Sequence, residues 1–141
     1  METFKEFLER HEACAPALKY ARSLGFDVKA VIDNCPQADW LMWVVTQEPE
    51  TFGLTLHDLV EYGLKAAEVV APINADPRVR KPTQENIYAA RTAWAAWART
   101  AWAAVRHAWN ATEDHPELRA QLWELVEPLK AKIKNHFTKT I

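Results

Sequence analysis

Apolar side chains recur along this chain mostly at steps of three and four residues, which is the spacing of one helix face. No run of alternating β-branched residues indicates a strand. The pattern predicts an all-α, single-domain bundle in which short N-terminal helices pack on two long C-terminal helices. Three subregions are expected within this one domain, residues 1–141. They are short helices over 1–71, a proline-rich linker over 72–82 and a long helical hairpin over 83–141.

Capping and breaking residues mark the ends of the N-terminal helices. Thr3 is a candidate cap for a helix over about residues 4–13, and Gly25 is a candidate stop for the helix that follows it. Thr55 and Asp58 form a variant capping box before a helix that extends to about residue 71. These signals predict several short helices in the first half of the chain.

Two longer helices are predicted in the second half. Thr83 is a candidate cap for the first, which contains the tryptophan-rich stretch ARTAWAAWARTAWAAVRHAW, residues 90–109. The second is expected to begin at Pro116, to run to about Lys134 and to bend at Pro128.

The tryptophan-rich stretch repeats ARTAWAAW as ARTAWAAV, and a shorter echo, RHAW, follows. At ~100° per residue, its four tryptophans fall within an arc of about 140°. Those tryptophans are Trp94, Trp97, Trp102 and Trp109. One flank of the arc carries a row of arginines: Arg91, Arg99 and Arg106. Because alanines fill the opposite face and no broad polar face remains, we expect other helices to surround this one.

Three interpretations of the arginine row stay open. It can pair with carboxylates of the N-terminal half, it can line a cleft for an anionic or aromatic ligand, or it can form a protein-binding face. Under the second and third interpretations, the binding candidates are Arg91, Trp94, Arg99, Trp102, Arg106 and His107.

The segment CPQADWLMW contains the structural candidates Asp39, Trp40 and Trp43. Asp39 is placed to cap a helix, and the two tryptophans share one face of it. If these tryptophans pack on the central helix, the Asp39 carboxylate approaches the arginine row. The sequence therefore predicts an ion pair with Asp39 as leading partner, and a loss of several kcal/mol on Asp39→Ala.

Charge is unevenly divided along the chain, although the net charge is only −2. Residues 1–70 carry 6 basic and 12 acidic side chains, and residues 71–141 carry 11 basic and 7 acidic. The acidic half predicts internal pairing or an acidic outer face, and the balance does not favour direct nucleic-acid binding. The absence of a long apolar run argues against a membrane span and favours a cytoplasmic protein, in the host cell if phage-encoded.

A family resemblance is carried by EACAPALKYARSLGFDVKAVIDNCPQADWLMWVV, residues 12–45. This segment resembles an N-terminal module of small, uncharacterised phage and bacterial proteins, which also carry a helix rich in alanine, tryptophan and arginine. The second half is similar, in composition, to immunity proteins of bacterial toxin systems. The resemblance implies an all-helical fold and a mobile-element setting.

Catalytic chemistry has little support in the sequence. The three glycines are isolated, the single serine has no partner motif, and no paired metal-binding motif is present. We assign no catalytic residue, metal or cofactor. The leading hypothesis is a non-enzymatic phage or mobile-element inhibitor or immunity-type protein that binds a host or toxin protein stoichiometrically. The alternative is a protein that binds a nucleotide or another anion, and self-association into a homo-oligomer stays open.

Overall fold

The computed structural model describes residues 2–70 and 94–138, with the backbone alone for Leu56 and for residues 94–100. Over these residues the protein is all helical, as predicted, and contains no strand. The helices are α1 (Phe4–Arg10), α2 (Ala15–Ser23), α3 (Val28–Asp33), α4 (Ala38–Gln47), α5 (Leu56–Val70), α6 (Trp94–Ala111) and α7 (Pro116–Thr138). A short 3-10 helix, Pro49–Phe52, connects α4 and α5. No helix within the described ranges is both long and apolar enough to cross a membrane.

Helices α4 and α5 lie against both long C-terminal helices, which confirms the predicted bundle. Helix α6 packs mainly on α5 and α4, whereas α7 packs on α4, α3 and α5. The two long helices contact each other less than either of them contacts α4. Helix α4 is therefore the central element, and it positions its side chains between the two halves of the chain.

Small residues allow α5 and α6 to approach closely. A Cβ atom built on Gly63 would lie 3.6 Å from the Cα atom of Ala101, which is itself buried. The other side of α6 faces solvent, with Arg106, His107 and Asn110 exposed. The prediction that other helices surround the tryptophan-rich helix is therefore wrong for its described C-terminal part.

The caps predicted at Thr3 and at Thr55 are confirmed. Thr3 and Glu6 form a reciprocal capping box before α1. Thr55 donates its backbone N–H to Asp58 Oδ2 at 2.8 Å, and the Asp58 N–H returns a bond to Thr55 Oγ1 at 3.2 Å. Helix α1 ends earlier than predicted because Glu12 adopts a left-handed backbone, with φ at 53°.

Gly25 acts as the predicted stop for α2. Its φ is +66°, a conformation that glycine adopts without steric cost. The N–H of Gly25 donates to the Arg22 carbonyl and the N–H of Phe26 donates to the Ala21 carbonyl, both at 2.9 Å. This pair of bonds is a Schellman motif, which satisfies carbonyls at the helix end.

The remaining predicted boundaries lie in the second half of the chain. The linker over residues 72–82 and the cap at Thr83 lie outside the described residues. Helix α7 begins at Pro116 as predicted and continues through Pro128 to Thr138, past the predicted end at Lys134.

Candidate functional site

A cavity of about 470 Å³ lies between the first four helices and α6. We call it the Asp39 cavity. Its apolar wall includes Phe4 and Leu8 of α1 and Ala17 of α2. Polar lining groups come from several elements of the chain: Glu12, Tyr20, Cys35, Gln37, Asp39, Trp102, Arg106 and Asn110. The volume lies within the range of about 300 to 1,000 Å³ that is typical of small-molecule sites.

Asp39 is buried, with only 4% of its surface exposed, and it is the only ionisable residue among the buried residues of the described chain. Its Oδ1 atom has no hydrogen-bond partner. Helix α4 begins at Ala38 after Gln37, so Asp39 is the second residue of the helix. The prediction that Asp39 caps this helix is therefore wrong, because the capping position belongs to Gln37. Oδ1 is thus a buried acceptor without a partner, in a residue that lines the cavity.

Burial raises the pKa of Asp39 to about 6. Its own backbone N–H and the positive charges of Arg106 and Arg119 oppose that rise without cancelling it. The carboxylate is thus mostly ionised at neutral pH, in a place where ionisation is disfavoured. This is the opposite of a carboxylate in a buried ion pair, where the cation holds the pKa below its ordinary value.

Trp102, which lines the same cavity, carries a second unsatisfied polar atom. Its indole Nε1 is buried and has no hydrogen-bond acceptor. The Arg106 guanidinium lies over the Trp102 ring, 5.3 Å from its centroid, and the Arg106 side chain is exposed. One cavity wall therefore offers a buried N–H donor, with a positive charge beside it at the surface.

A stack of cations and tryptophans fixes the end of α6 against α7. Arg119 lies 3.9 Å from the centroid of the Trp109 ring and donates from Nη2 to the Trp109 carbonyl at 3.1 Å. The Trp109 and Trp123 rings meet edge to face at 5.5 Å, and Lys130 lies 5.2 Å from the Trp123 centroid. These contacts position the helix that carries Trp102 and Arg106.

The predicted ion pair between Asp39 and the arginine row is wrong for Arg106. Among the described residues no cation lies within 4.0 Å of the Asp39 carboxylate, and Arg106 pairs with no described acid. The pair that joins the two halves is instead Lys134 with Asp33, at 2.6 Å. Arg91 lies outside the described residues, and for Arg99 only the backbone is described.

The structure brings together residues that the sequence had assigned to different roles. Trp40 and Trp43, predicted as structural, line the cavity with Trp102 and Arg106, predicted as binding residues. His107 is exposed and does not line it. The side chain of Trp94 lies outside the described part of the chain. Asp39 therefore belongs with the binding candidates.

Several lining residues were missed by the sequence analysis. Asn110 follows Trp102 and Arg106 at steps of four, so helical spacing could have found it. Tyr20 donates its hydroxyl to the Val31 carbonyl at 2.9 Å, and its ring centroid lies 5.9 Å from that of Trp40. Cys35 donates to the Gln37 carbonyl at 3.3 Å, and burial raises its pKa to about 11. Nothing in the local sequence predicts the places of Tyr20 and Cys35.

The lining residues of the cavity carry groups that can accept and donate hydrogen bonds. Oδ1 of Asp39 accepts, Nε1 of Trp102 donates, and Arg106 offers a positive charge. Within the described ranges, no group of three or more His, Cys, Asp or Glu side chains is placed to hold a metal ion. Comparison of the chain with protein-family models, curated protein sequences and solved structures finds no match, so the geometry of this cavity is the basis for a function.

Proposed function

We propose that this protein binds a small organic molecule, without covalent chemistry, in the Asp39 cavity. The observation that carries the proposal is the Asp39 carboxylate, 4% exposed and unpartnered at Oδ1. A buried polar atom without a partner costs about 1 to 3 kcal/mol. Such a cost is expected where a ligand supplies the missing partner, because functional sites are placed at the expense of stability.

The size and lining of the cavity support a ligand larger than water. Its volume of about 470 Å³ far exceeds the ~30 Å³ that one water occupies in the liquid. Aromatic and aliphatic side chains form most of the wall, and polar side chains form the rest of it. An apolar wall with a small number of placed polar groups is the usual composition of an organic-ligand site.

A substitution that fills the cavity tests this proposal. Ala17→Leu adds three carbons to a lining position of α2, so it is expected to abolish the thermal stabilisation that a ligand gives. Ala15→Leu, at an exposed position of the same helix, is the matched control and is expected to bind as the wild type does. The measurement is the unfolding temperature of each protein with a panel of small metabolites. Equal stabilisation of both variants would place the ligand elsewhere.

Stoichiometric binding to a protein target is the second candidate function. Asp39 is the only one of the 12 acidic residues in 2–70 that is buried, so the other acidic side chains give the N-terminal half an acidic surface. Such a surface suits a target that itself binds nucleic acid, such as a defence nuclease. This supports the predicted inhibitor or immunity-type role in a phage or mobile element.

Retention of a partner from host lysate separates the two candidates. An inhibitor is expected to retain one protein in equimolar amount, with affinity falling as salt rises. Ala17→Leu is expected to leave that retention unchanged, because an inhibitor would contact its target through the acidic surface and not through the cavity. If no protein is retained at moderate salt, the inhibitor role is wrong.

A further inference from the structure

We propose that the ligand of the Asp39 cavity is a nucleotide, with its base between Asp39 and Trp102 and its phosphate on Arg106. This inference rests on the proposed small-molecule function. It is carried by the juxtaposition of an unpartnered acceptor, an unpartnered donor, aromatic walls and an exposed guanidinium in one cavity.

The two unpartnered atoms set the polarity of the inner end of the ligand. Oδ1 of Asp39 needs a hydrogen-bond donor and Nε1 of Trp102 needs an acceptor. Purine and pyrimidine bases carry an amino or ring N–H beside a carbonyl or ring nitrogen, so a single base edge offers both. An organic ammonium ion could meet the carboxylate but has no acceptor for the indole N–H. The pair of atoms therefore favours a heterocyclic base over an amine.

The walls of the cavity suit a flat ring. Trp40, Trp43 and Trp102 are half-buried lining residues, and Tyr20 lies beside Trp40 with its ring inclined by 43°. Stacking of a base on an aromatic side chain contributes about 1 to 3 kcal/mol and tolerates different bases. The cavity can thus hold the base by stacking as well as by its edge.

The rim of the cavity supplies a phosphate-binding group. Arg106 is exposed, lies over Trp102 and is followed one turn later by Asn110, also a lining residue. A guanidinium binds phosphate through two parallel hydrogen bonds. Arg106 and Asp39 line the same cavity of about 470 Å³. The acceptor inside and the cation at the rim are therefore within the span of one ligand.

Titration of tryptophan fluorescence tests the assignment of each end. The probes are the 5′-monophosphates of guanosine, adenosine, uridine and cytidine, the matching nucleosides and inorganic phosphate, at pH 7.5. For the wild type we expect at least one monophosphate to bind about tenfold more tightly than its nucleoside. Arg106→Ala is expected to remove that difference, so that the monophosphate binds no more tightly than its nucleoside. Arg22→Ala, an exposed arginine outside the cavity, is the control and should bind as the wild type does.

Asp39→Asn tests the proposed contact between the Asp39 carboxylate and the base of the nucleotide. It is expected to weaken the nucleoside and the nucleotide together, by about tenfold or more, since one acceptor becomes a donor. Circular dichroism verifies that the variant is folded. If inorganic phosphate binds as tightly as every nucleotide, the base does not contribute and its proposed position is wrong. The proposed position is also wrong if Asp39→Asn leaves nucleotide affinity unchanged.

Amines and amino acids are tested as well, to distinguish failure of the nucleotide inference from failure of the small-molecule function. If these bind in a manner that depends on Asp39 and no nucleotide binds, the nucleotide inference is wrong and the small-molecule function stands. Both proposals are wrong if nucleotides, amines and amino acids at millimolar concentration neither raise the unfolding temperature of the wild type nor quench its tryptophan fluorescence, and if no compound of a broad metabolite panel does so either. If a nucleotide binds the wild type and Ala17→Leu abolishes that binding, both the small-molecule function and the nucleotide inference are supported.

Discussion

Asp39→Asn is expected to raise the free energy of unfolding of the ligand-free protein by about 3 kcal/mol at pH 7. Burial raises the pKa of Asp39 from 3.8 to about 6, so the folded protein disfavours the ionised carboxylate. The penalty is absent below about pH 4, grows as the pH rises to about 6 and is constant above that. Asparagine keeps the shape and removes the charge. Urea unfolding of both proteins at pH 4 and pH 7 measures the difference.

The free energy of unfolding must be compared between the wild type and Asp39→Asn at each pH, because other carboxylates stabilise the folded protein when they are ionised. Hydrogen bonds to charged partners or backbone N–H groups lower the pKa of four exposed or half-buried acids: Glu2, Asp33, Glu48 and Asp58. Their contribution to stability is lost as the pH falls through their folded pKa values, in both proteins alike. A variant less stable than the wild type at pH 7 would show that the carboxylate is paired, as the sequence alone had indicated.

Phe7→Ala is expected to lower the free energy of unfolding by about 3 to 5 kcal/mol. Phe7 is 1% exposed, and its ring meets those of Phe52 and Phe137 edge to face at 5.8 and 5.4 Å. The substitution leaves a void where α1, the 3-10 helix and α7 come together. Because α1 also forms part of the wall of the Asp39 cavity, through Phe4 and Leu8, ligand binding should weaken as well.

Phe7→Leu is the matched control for the void. It keeps most of the apolar volume and loses only the aromatic contacts, so a cost below about 1.5 kcal/mol is expected. Chemical unfolding at constant pH measures both variants. A loss below 1 kcal/mol for Phe7→Ala would mean that α1 is not held in the bundle by this cluster.

Much of the fold follows from local rules that the sequence displays. The caps at Thr3 and at Thr55, the stop at Gly25 and the start at Pro116 each depend on one or two neighbouring residues. The end of α1 was not predictable in this way, since the left-handed turn falls on Glu12, a residue with no special preference for it.

The candidate site was only partly predictable, because it depends on packing between distant segments. Trp102 and Arg106 were identified as binding candidates from the helical repeat, and Asn110 shares their face. Asp39 was expected to lie near them, but as the partner of an arginine, because a buried charge in a protein is usually paired. Whether a carboxylate is paired depends on distances set by α4 and α6 together, and helical spacing does not specify them.

The pKa of Asp39 in the ligand-free protein tests the central claim most directly. It can be measured from the pH dependence of the side-chain carboxyl carbon in an NMR titration of labelled protein, with Asp39→Asn to assign the signal. A buried carboxylate with no cation paired to it predicts a pKa of about 6. A pKa at or below the ordinary 3.8 would show that a cation holds the carboxylate inside the fold, and that Asp39 is not the group that receives a ligand.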